Sequence, residues 1–395
     1  MSVVKLKAGR EKSLRHRHPW VYSGAIDTVE GEVVPGAVVT VTDAQGGFLA
    51  RGYHNAASRI GVRVLTWNET DNIDADWWRS RVDDAVAARA ALEAAPDTNA
   101  YRLIYAEADR LPGLIVDRYD DVVVVQMLTA GVEAARDLIL DAIEERVAPA
   151  AIFDRSDSAS RQREGLTASS GVVRGDTERT TAEILENGNA FTVKFGSGQK
   201  TGFYLDQRAN RRRVAEFASG RNVLDVFSYT GAFSVGALAG GAASVTLTDS
   251  SESALVAAEQ HLERSAPGAD NVEIVQADAF ELLRGWSTEK RQFDMVVLDP
   301  PKFASNRHQV EKALRAYKDT NMLAMKLLTP GGILATFSCS GAVSQADFTL
   351  AVSWAGIDAG RDVQVLERLS QGADHPALAS FPESEYLKGM LCRIP

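Results

Sequence analysis

Residues 222–249, N-V-L-D-V-F-S-Y-T-G-A-F-S-V-G-A-L-A-G-G-A-A-S-V-T-L-T-D, constrain the fold more than any other stretch of the chain. An apolar run ends at Phe227 and gives way to a Ser-Tyr-Thr-Gly turn. Small residues over 232–239 have the spacing of a short helix, and a second apolar run ends at Asp249. Strand, turn, helix and strand in that order open a parallel α/β sheet. Asp225 falls at the end of the first strand and Asp249 at the end of the second. In doubly wound sheets, ligands bind beyond the carboxyl ends of the strands, where the strand order reverses, and an acid ending the second strand typically holds ribose hydroxyls. The turn carries Gly231 alone in place of G-x-G-x-x-G, so less of its backbone suits a pyrophosphate. That favours a nucleoside without phosphates, such as S-adenosylmethionine (SAM), over NAD. A structural βαβ unit with solvated acids fits this stretch equally well.

The alternation continues downstream without a gap. A helix over 251–264 has Ser251 as N-cap and Glu252 in its first turn. A strand over 272–277 ends at Asp278, a short helix spans 280–286, and F-D-M-V-V-L ends at Asp299. A helix over 317–328 stops at Pro330-Gly331-Gly332, and I-L-A-T-F-S-C-S ends at Cys339. A helix over 344–359 and strands over 363–369 and 386–394 close the region. Asp225, Asp249, Asp278, Asp299 and Cys339 all stand where a strand ends, which points to one shared site.

Upstream, the chain changes character. Lys5, Lys7, Arg10, Lys12, Arg15 and Arg17 face a single Glu11 and lead into Pro19-Trp20-Val21-Tyr22. Cations followed by aromatics suit phosphate contact and base stacking, although a solvated tail with an apolar anchor reads the same way. Short alternating runs up to residue 72 predict a small β-barrel. Residues 73–195 predict a second α/β unit, with a polar loop over 156–175 and a hairpin turning at Asn187-Gly188. G-Q-K-T-G-F-Y-L-D-Q-R, residues 198–208, is too rich in polar and aromatic groups for a plain connector and suits a cofactor lid or a phosphate-contacting edge.

With 395 residues, 45% hydrophobic and 24% charged, the chain has room for two or three globular domains. No apolar run approaches the ~18 residues of a membrane span, and residues 1–12 lack a signal-peptide core. Two cysteines, Cys339 and Cys392, make no disulfide framework and have no metal-ligand spacing, so a cytoplasmic, metal-free protein is expected. The net charge of −10 argues mildly against nucleic acid, but it averages over faces.

The strand ends permit a specific chemistry. Asp299-Pro300-Pro301 sets a carboxylate on a stiff turn whose prolines lack N–H donors, so carbonyls are left for a partner. Cys339, in a Ser-Cys-Ser turn, faces the site. Carbon-5 of cytosine is too electron-poor to attack a sulfonium methyl, and thiolate addition at carbon-6 makes it carbanion-like. An inert buried thiol is the bland alternative.

L-D-V-F-S-Y-T-G, L-D-P-P-K-F, F-S-C-S-G, G-Q-K-T-G-F-Y-L-D-Q-R and D-H-P…E-Y-L-K-G together resemble the motifs of the RlmI-like class I SAM-dependent methyltransferases. Those enzymes form 5-methylcytosine in 23S ribosomal RNA. R-H-P-W-V-Y-S-G is similar to the start of their PUA-like RNA-binding domain. The resemblance implies a PUA domain over 1–72, a middle α/β domain with a hairpin over 73–195 and a seven-stranded Rossmann-like catalytic domain over 196–395. It implies SAM contacts from Asp225, Phe227, Ser228, Asp249 and Asp278, to which Gly231, Ser250, Ala279, Tyr204 and Lys200 are added as neighbours in the matched motifs. Cys339 and Asp299 would be catalytic, and Lys302, Arg208, Arg15, Arg17 and Trp20 would meet RNA. Related cytosine methyltransferases carry a second Cys where this chain has Lys302, which leaves the base for the carbon-5 proton unassigned. A homodimer is compatible with this reading. Competing readings are a methyltransferase of the same fold acting on guanine with Cys339 a bystander, an NAD-dependent oxidoreductase, and a non-catalytic RNA-binding factor.

Overall fold

Short runs rich in apolar residues, V-V-T-V-T, F-L-A-R-G-Y-H and I-G-V-R-V-L-T, make the strands Val38–Thr42, Phe48–His54 and Ile60–Thr66, the centre of a six-stranded sheet, with most of their residues buried. The computed structural model describes residues 2–196, 202–268 and 270–395. The other strands of this sheet are Trp20–Tyr22 at one edge and Ser2–Leu6 and Ile26–Glu30 at the other. Val4, Leu6, Leu14, Val39, Val41, Ala50, Val62 and Val64 fill its core.

A five-stranded sheet follows, in the order Ser169–Gly175, Ala151–Ser156, Val122–Met127, Leu114–Tyr119, Ala100–Tyr105. The helices Ala75–Ala87 and Arg136–Val147 bury Trp77, Trp78, Val82, Ile139 and Ile143 with Val116, Val123 and Val125 of the sheet. Residues 156–175 are not the expected loop. They form a short helix, Ala159–Arg163, and the antiparallel edge strand Ser169–Gly175, held by pairing to Ala151–Ser156. Its Ser- and Gly-rich sequence has little strand propensity, so tertiary pairing decides its form. The expected hairpin is present: Thr181–Glu186 and Asn189–Lys194 pair around Asn187 (φ 51°) and Gly188 (φ 80°), the two left-handed residues of a type I′ turn.

The last sheet has seven strands in the order Val272–Gln276, Ser244–Asp249, Asn222–Val226, Phe293–Leu298, Leu328–Ser338, Lys388–Ile394, Gln364–Ser370. The first five run parallel, and Lys388–Ile394 is inserted antiparallel to both of its neighbours. Runs such as V-L-D-V and M-V-V-L are buried on both faces, as expected for strands sandwiched by helices. The helix expected over 280–286 runs Ala279–Glu289 and the strand expected over 386–394 is Lys388–Ile394, and two further boundaries differ more. The helix Val310–Leu327 begins before residue 317, and the strand Leu328–Ser338 already contains Pro330-Gly331-Gly332, with Gly331 at φ 81° absorbing the bend.

The described residues divide into two compact units whose sequences interleave. Met1–Leu185, Val193–Leu205 and Ala373–Ser384 make the first; Glu186–Thr192, Asp206–Gly372 and Glu385–Pro395 make the second. The returning segment is tied firmly into the first unit. Asp374 accepts the Arg102 backbone N–H at 2.9 Å across 272 residues of chain, and its carbonyl accepts from the Arg89 guanidinium at 2.9 Å.

Candidate active site

The strand Asn222–Val226 ends in a loop that folds back on itself. Phe227 (φ 62°), Tyr229 (φ 48°) and Gly231 (φ 74°) are all left-handed before the helix Ala232–Ala239 begins. Two aromatic residues in that region are unusual, because a Cβ there crowds the backbone at about 1–2 kcal/mol per residue. Such strain gathers where a ligand is handled. Gly231 is needed twice over: its φ is positive, and a Cβ would stand 3.0 Å from that of Ala258.

Asp225 is 1% exposed and accepts hydrogen bonds from the Ser234 backbone N–H (3.1 Å) and hydroxyl (2.7 Å). Burial, and after it the nearby carboxylates of Asp299 and Asp249, push its pKa up to about 7, against the opposing pull of Ser234. Asp249 ends its strand and accepts from the N–H groups of Tyr229 and Ser251, both at 2.9 Å. Ser251 in turn caps the helix Glu252–Ser265. Asp278 caps the helix Ala279–Glu289, accepting from Phe280 (2.9 Å) and Glu281 (3.1 Å) through one oxygen. Asp249 and Asp299 thus both lie within electrostatic reach of Asp225.

Cys339 follows the strand Leu328–Ser338 and is half-buried. Its Sγ lies 3.9 Å from the carbonyl oxygen of Pro300, one of the carbonyls the Asp-Pro-Pro turn leaves available. Ser338 Oγ donates to the Tyr317 hydroxyl at 2.9 Å, and Tyr317 and Ser340 hydroxyls lie 2.9 Å apart. Ser340 Oγ also accepts the Ala304 N–H at 3.0 Å, and its carbonyl accepts from the Lys388 ammonium at 2.9 Å. The thiol therefore sits on a turn held by three residues, Tyr317, Ala304 and Lys388. Cys392 is different in kind: fully buried in an apolar core, its thiol is pushed up to about 12.

Sequence reasoning misses several of these partners. Tyr317 lies inside a helix, and Lys388 shows in the sequence only as part of E-Y-L-K-G. Phe280 and Phe303 continue an aromatic chain from Phe227 to Tyr317, with centroid separations of 6.5, 6.3 and 4.8 Å. Of the other expected site residues, Ser228 is buried, Ser250 and Lys302 are exposed, and Ala279 is buried in the first turn of its helix. Arg208 is buried at the start of the helix Arg208–Ala215, where its carbonyl accepts from the Asn187 side chain. Tyr204 belongs to the first compact unit, and Lys200 lies outside the described residues.

Arg15, Arg17 and Trp20 also stand in the first unit. Arg15 is exposed and pairs with Asp43 at 2.9 Å, and Arg17 lies over Trp67 at 5.3 Å. Trp20 is half-buried: its Nε1 donates to Glu107 at 2.7 Å and its ring meets Phe381 at 4.7 Å. Those are the contacts of a packing residue.

The family profile of S-adenosylmethionine-dependent methyltransferases matches residues 128–392. This chain belongs to that family. Residues 4–67 match the profile of PUA-like domains. Over their length, two relatives are similar to this methyltransferase at 44% and 45% identity, from Serratia proteamaculans and Shewanella amazonensis. The alignments cover 98% and 99% of this chain and the same shares of the relatives, and both relatives are named ribosomal RNA large subunit methyltransferase I. A solved methyltransferase structure complexed with SAH covers all of both chains with a TM-score of 0.86 at 21% identity. A SAM-dependent methyltransferase from Streptococcus mutans gives 0.84, also at 21%. At that identity the likeness is one of fold.

The methyltransferase takes SAM as its cofactor, and the Phe227–Gly231 loop fits that ligand. Asp225 Oδ1, Ser228 Oγ, Thr230 Oγ1 and Thr248 Oγ1 are buried with no hydrogen-bond partner among the described residues. A buried polar group left unpaired costs about 1–3 kcal/mol. Four around one strand-end loop mark a place built to meet a polar ligand. Among the described residues, no cluster of acids, histidines and cysteines could hold a metal, and no helix is long and apolar enough to cross a membrane.

Proposed function

We propose that this methyltransferase forms 5-methylcytosine in 23S ribosomal RNA, with Cys339 as a covalent nucleophile. The observation that carries the reading is the approach of Cys339 Sγ to 3.9 Å from the Pro300 carbonyl, which sets the thiol against the Asp299-Pro300 turn. The names of the relatives support a ribosomal RNA substrate. A base in structured RNA must first leave its stack, at a few kcal/mol. The Cys339 thiolate then adds to carbon-6, forming an S–C bond and leaving carbon-5 electron-rich. Bound SAM supplies the electrophilic methyl group for that carbon. Loss of the carbon-5 proton returns the electron pair, breaks the S–C bond and frees the thiolate. Asp299 serves the same base, holding its polar edge or accepting the proton.

On this reading residues 1–72 bind RNA, 73–195 form a middle domain and 196–395 carry the chemistry in a cytoplasmic enzyme. Asp225, Asp249, Ser228 and the Phe227–Gly231 backbone hold SAM, with Ser250, Asp278 and Ala279 beside it. Lys302, Arg15 and Arg17 contact RNA phosphates. RNA bearing 5-fluorocytosine has no carbon-5 proton to lose, so the enzyme stalls as an adduct that survives denaturing gels. Cys339→Ala abolishes adduct and turnover while SAM still binds, and Cys392→Ala changes neither. Normal methylation by the Cys339→Ala protein overturns the mechanism and makes guanine the base to seek.

A further inference from the structure

Lys388 opens the antiparallel strand Lys388–Ile394 and pairs in register with Ser338, the residue before Cys339. Its Nζ donates to the carbonyl of Ser340, the residue after Cys339, at 2.9 Å. The ammonium is thereby held beside the turn that carries Cys339, close enough for the charge of the one to act on the other. Lys388 is 5% exposed, and a buried cation is costly unless an anion answers it. One carbonyl does not supply that charge.

The surrounding groups narrow what does. Burial, the largest influence, pushes Lys388 below the ordinary lysine range. Cys339 from the strand end and Glu385 from the preceding segment favour the ammonium, and Lys302 from the Asp-Pro-Pro-Lys turn opposes it. Tyr317, from the helix Val310–Leu327, is hydrogen-bonded to Ser338 and Ser340, and burial holds its phenol up in the neutral form. Asp299 stands on the same Asp-Pro-Pro-Lys turn and faces Asp225.

We infer that Lys388 is a positioning residue that keeps Cys339 ionised for attack, its ammonium pairing with the thiolate. The inference rests on the reading of Cys339 as the nucleophile. When the amine is neutral, the thiol proton passes from Sγ to Nζ, so thiol and amine become thiolate and ammonium with no change in net charge. Burial opposes that exchange less than it opposes ionising either group alone. On addition to carbon-6 the thiolate becomes a neutral thioether, and on release the ammonium receives it again. A lysine beside a cysteine is a recognised way to depress a thiol pKa. If Lys388 were only a latch on the Ser-Cys-Ser turn, its charge would not matter to the sulfur.

The chain has two cysteines, and Cys392 is fully buried, so alkylation by iodoacetamide followed by intact-protein mass reads Cys339 alone. Cys339→Ser gives the unlabelled control. The wild-type rate should titrate at least about one pH unit below an ordinary thiol, near 8.5. Lys388→Met should raise that midpoint by about one unit and slow labelling at neutral pH about tenfold, and Lys388→Arg should restore most of it. Should Lys388→Met fail to fold, the ultraviolet absorbance of the thiolate, wild type minus Cys339→Ser, reads the same midpoint without it. A wild-type thiol that titrates normally, or a Lys388→Met midpoint equal to the wild type's, overturns the pairing. A depressed midpoint in an enzyme that forms no adduct with 5-fluorocytosine RNA upholds the pair and removes the cytosine mechanism instead.

Discussion

In print, Asp117 in L-I-V-D-R-Y and Asp225 in N-V-L-D-V-F occupy the same kind of place, an acid inside an apolar strand. Both are almost fully buried, yet the fold treats them differently. Asp117, in the five-stranded sheet, is gripped by the Arg102 guanidinium at 2.7 and 2.9 Å. The device recurs around that sheet, with Arg136 on Asp154 of the strand Ala151–Ser156 at 2.6 Å and Arg89 on Asp109 of the turn after Ala100–Tyr105 at 2.7 Å. Asp225, in the seven-stranded sheet, is met by Ser234 and by the fields of two further carboxylates, and one of its oxygens has no partner among the described residues. An acid that comes with its own arginine holds a fold together. Acids gathered against one another, with neighbouring hydroxyls unpaired, are arranged for something that arrives later.

The contrast can be tested from its structural side first. Arg102→Met strands a buried carboxylate, and denaturant unfolding should show a loss of about 3–5 kcal/mol. Replacing both partners, Arg102→Met with Asp117→Leu, should recover most of it, and SAM affinity should be the same throughout. A single substitution costing under about 1 kcal/mol would erase the distinction between the two acids.

Asp225 makes the opposite prediction. Because its folded pKa is raised to about 7, the folded state binds more protons than the unfolded one between about pH 4 and 7. That contribution to stability is fully present below the unfolded pKa and is lost as pH rises through about 7. The stability difference between wild type and Asp225→Asn should therefore swing against the wild type by up to about 4 kcal/mol across the window. A difference that stays flat with pH would mean the acid is ionised at little cost, as a paired one would be.

For Asp249, the comparison is read in ligand rather than stability. If Asp249 holds the SAM ribose as proposed, Asp249→Ala should cost a charge-assisted hydrogen bond, about 1.5–3 kcal/mol or roughly ten- to a hundredfold in affinity. Calorimetry on the folded variant measures it, and unchanged affinity would remove the ribose assignment. The smallest effect belongs to Arg15, whose exposed pair with Asp43 should contribute under about 1 kcal/mol. Arg15→Ala should leave unfolding alone and flatten the salt dependence of RNA binding by roughly 0.7–0.9. An unchanged slope would make this arginine a solvated surface charge.

The same contrast explains what is legible in the sequence. Strand ends are marked by where an apolar run stops, so the sequence alone puts Asp249, Asp299 and Cys339 at the ends of their strands. Asp225 stands out and Asp117 does not, because a turn and a helix follow the first and another strand follows the second. Nothing in an aromatic residue announces a positive φ, so the strain at Phe227 and Tyr229 is invisible in the sequence. Lys388 meets Ser338 and Ser340, the residues on either side of Cys339, through an antiparallel pairing across the sheet, a relation that local pattern does not encode. Trp20 suggests a stacking platform because its packing partner, Phe381, lies far along the chain.

The return of Ala373–Ser384 to the first unit sets a timetable for making the protein. Ribosomes add roughly 5–20 residues per second. Arg102 leaves the ribosome long before Asp374, 272 residues later, exists to accept its N–H. The early unit must wait on the order of tens of seconds with that seam open. Each new molecule thus passes through a stage with its first two sheets synthesised and one buried edge exposed to other nascent chains. A chain truncated short of residue 373 should therefore keep that seam open and be more exposed to proteases than the full one.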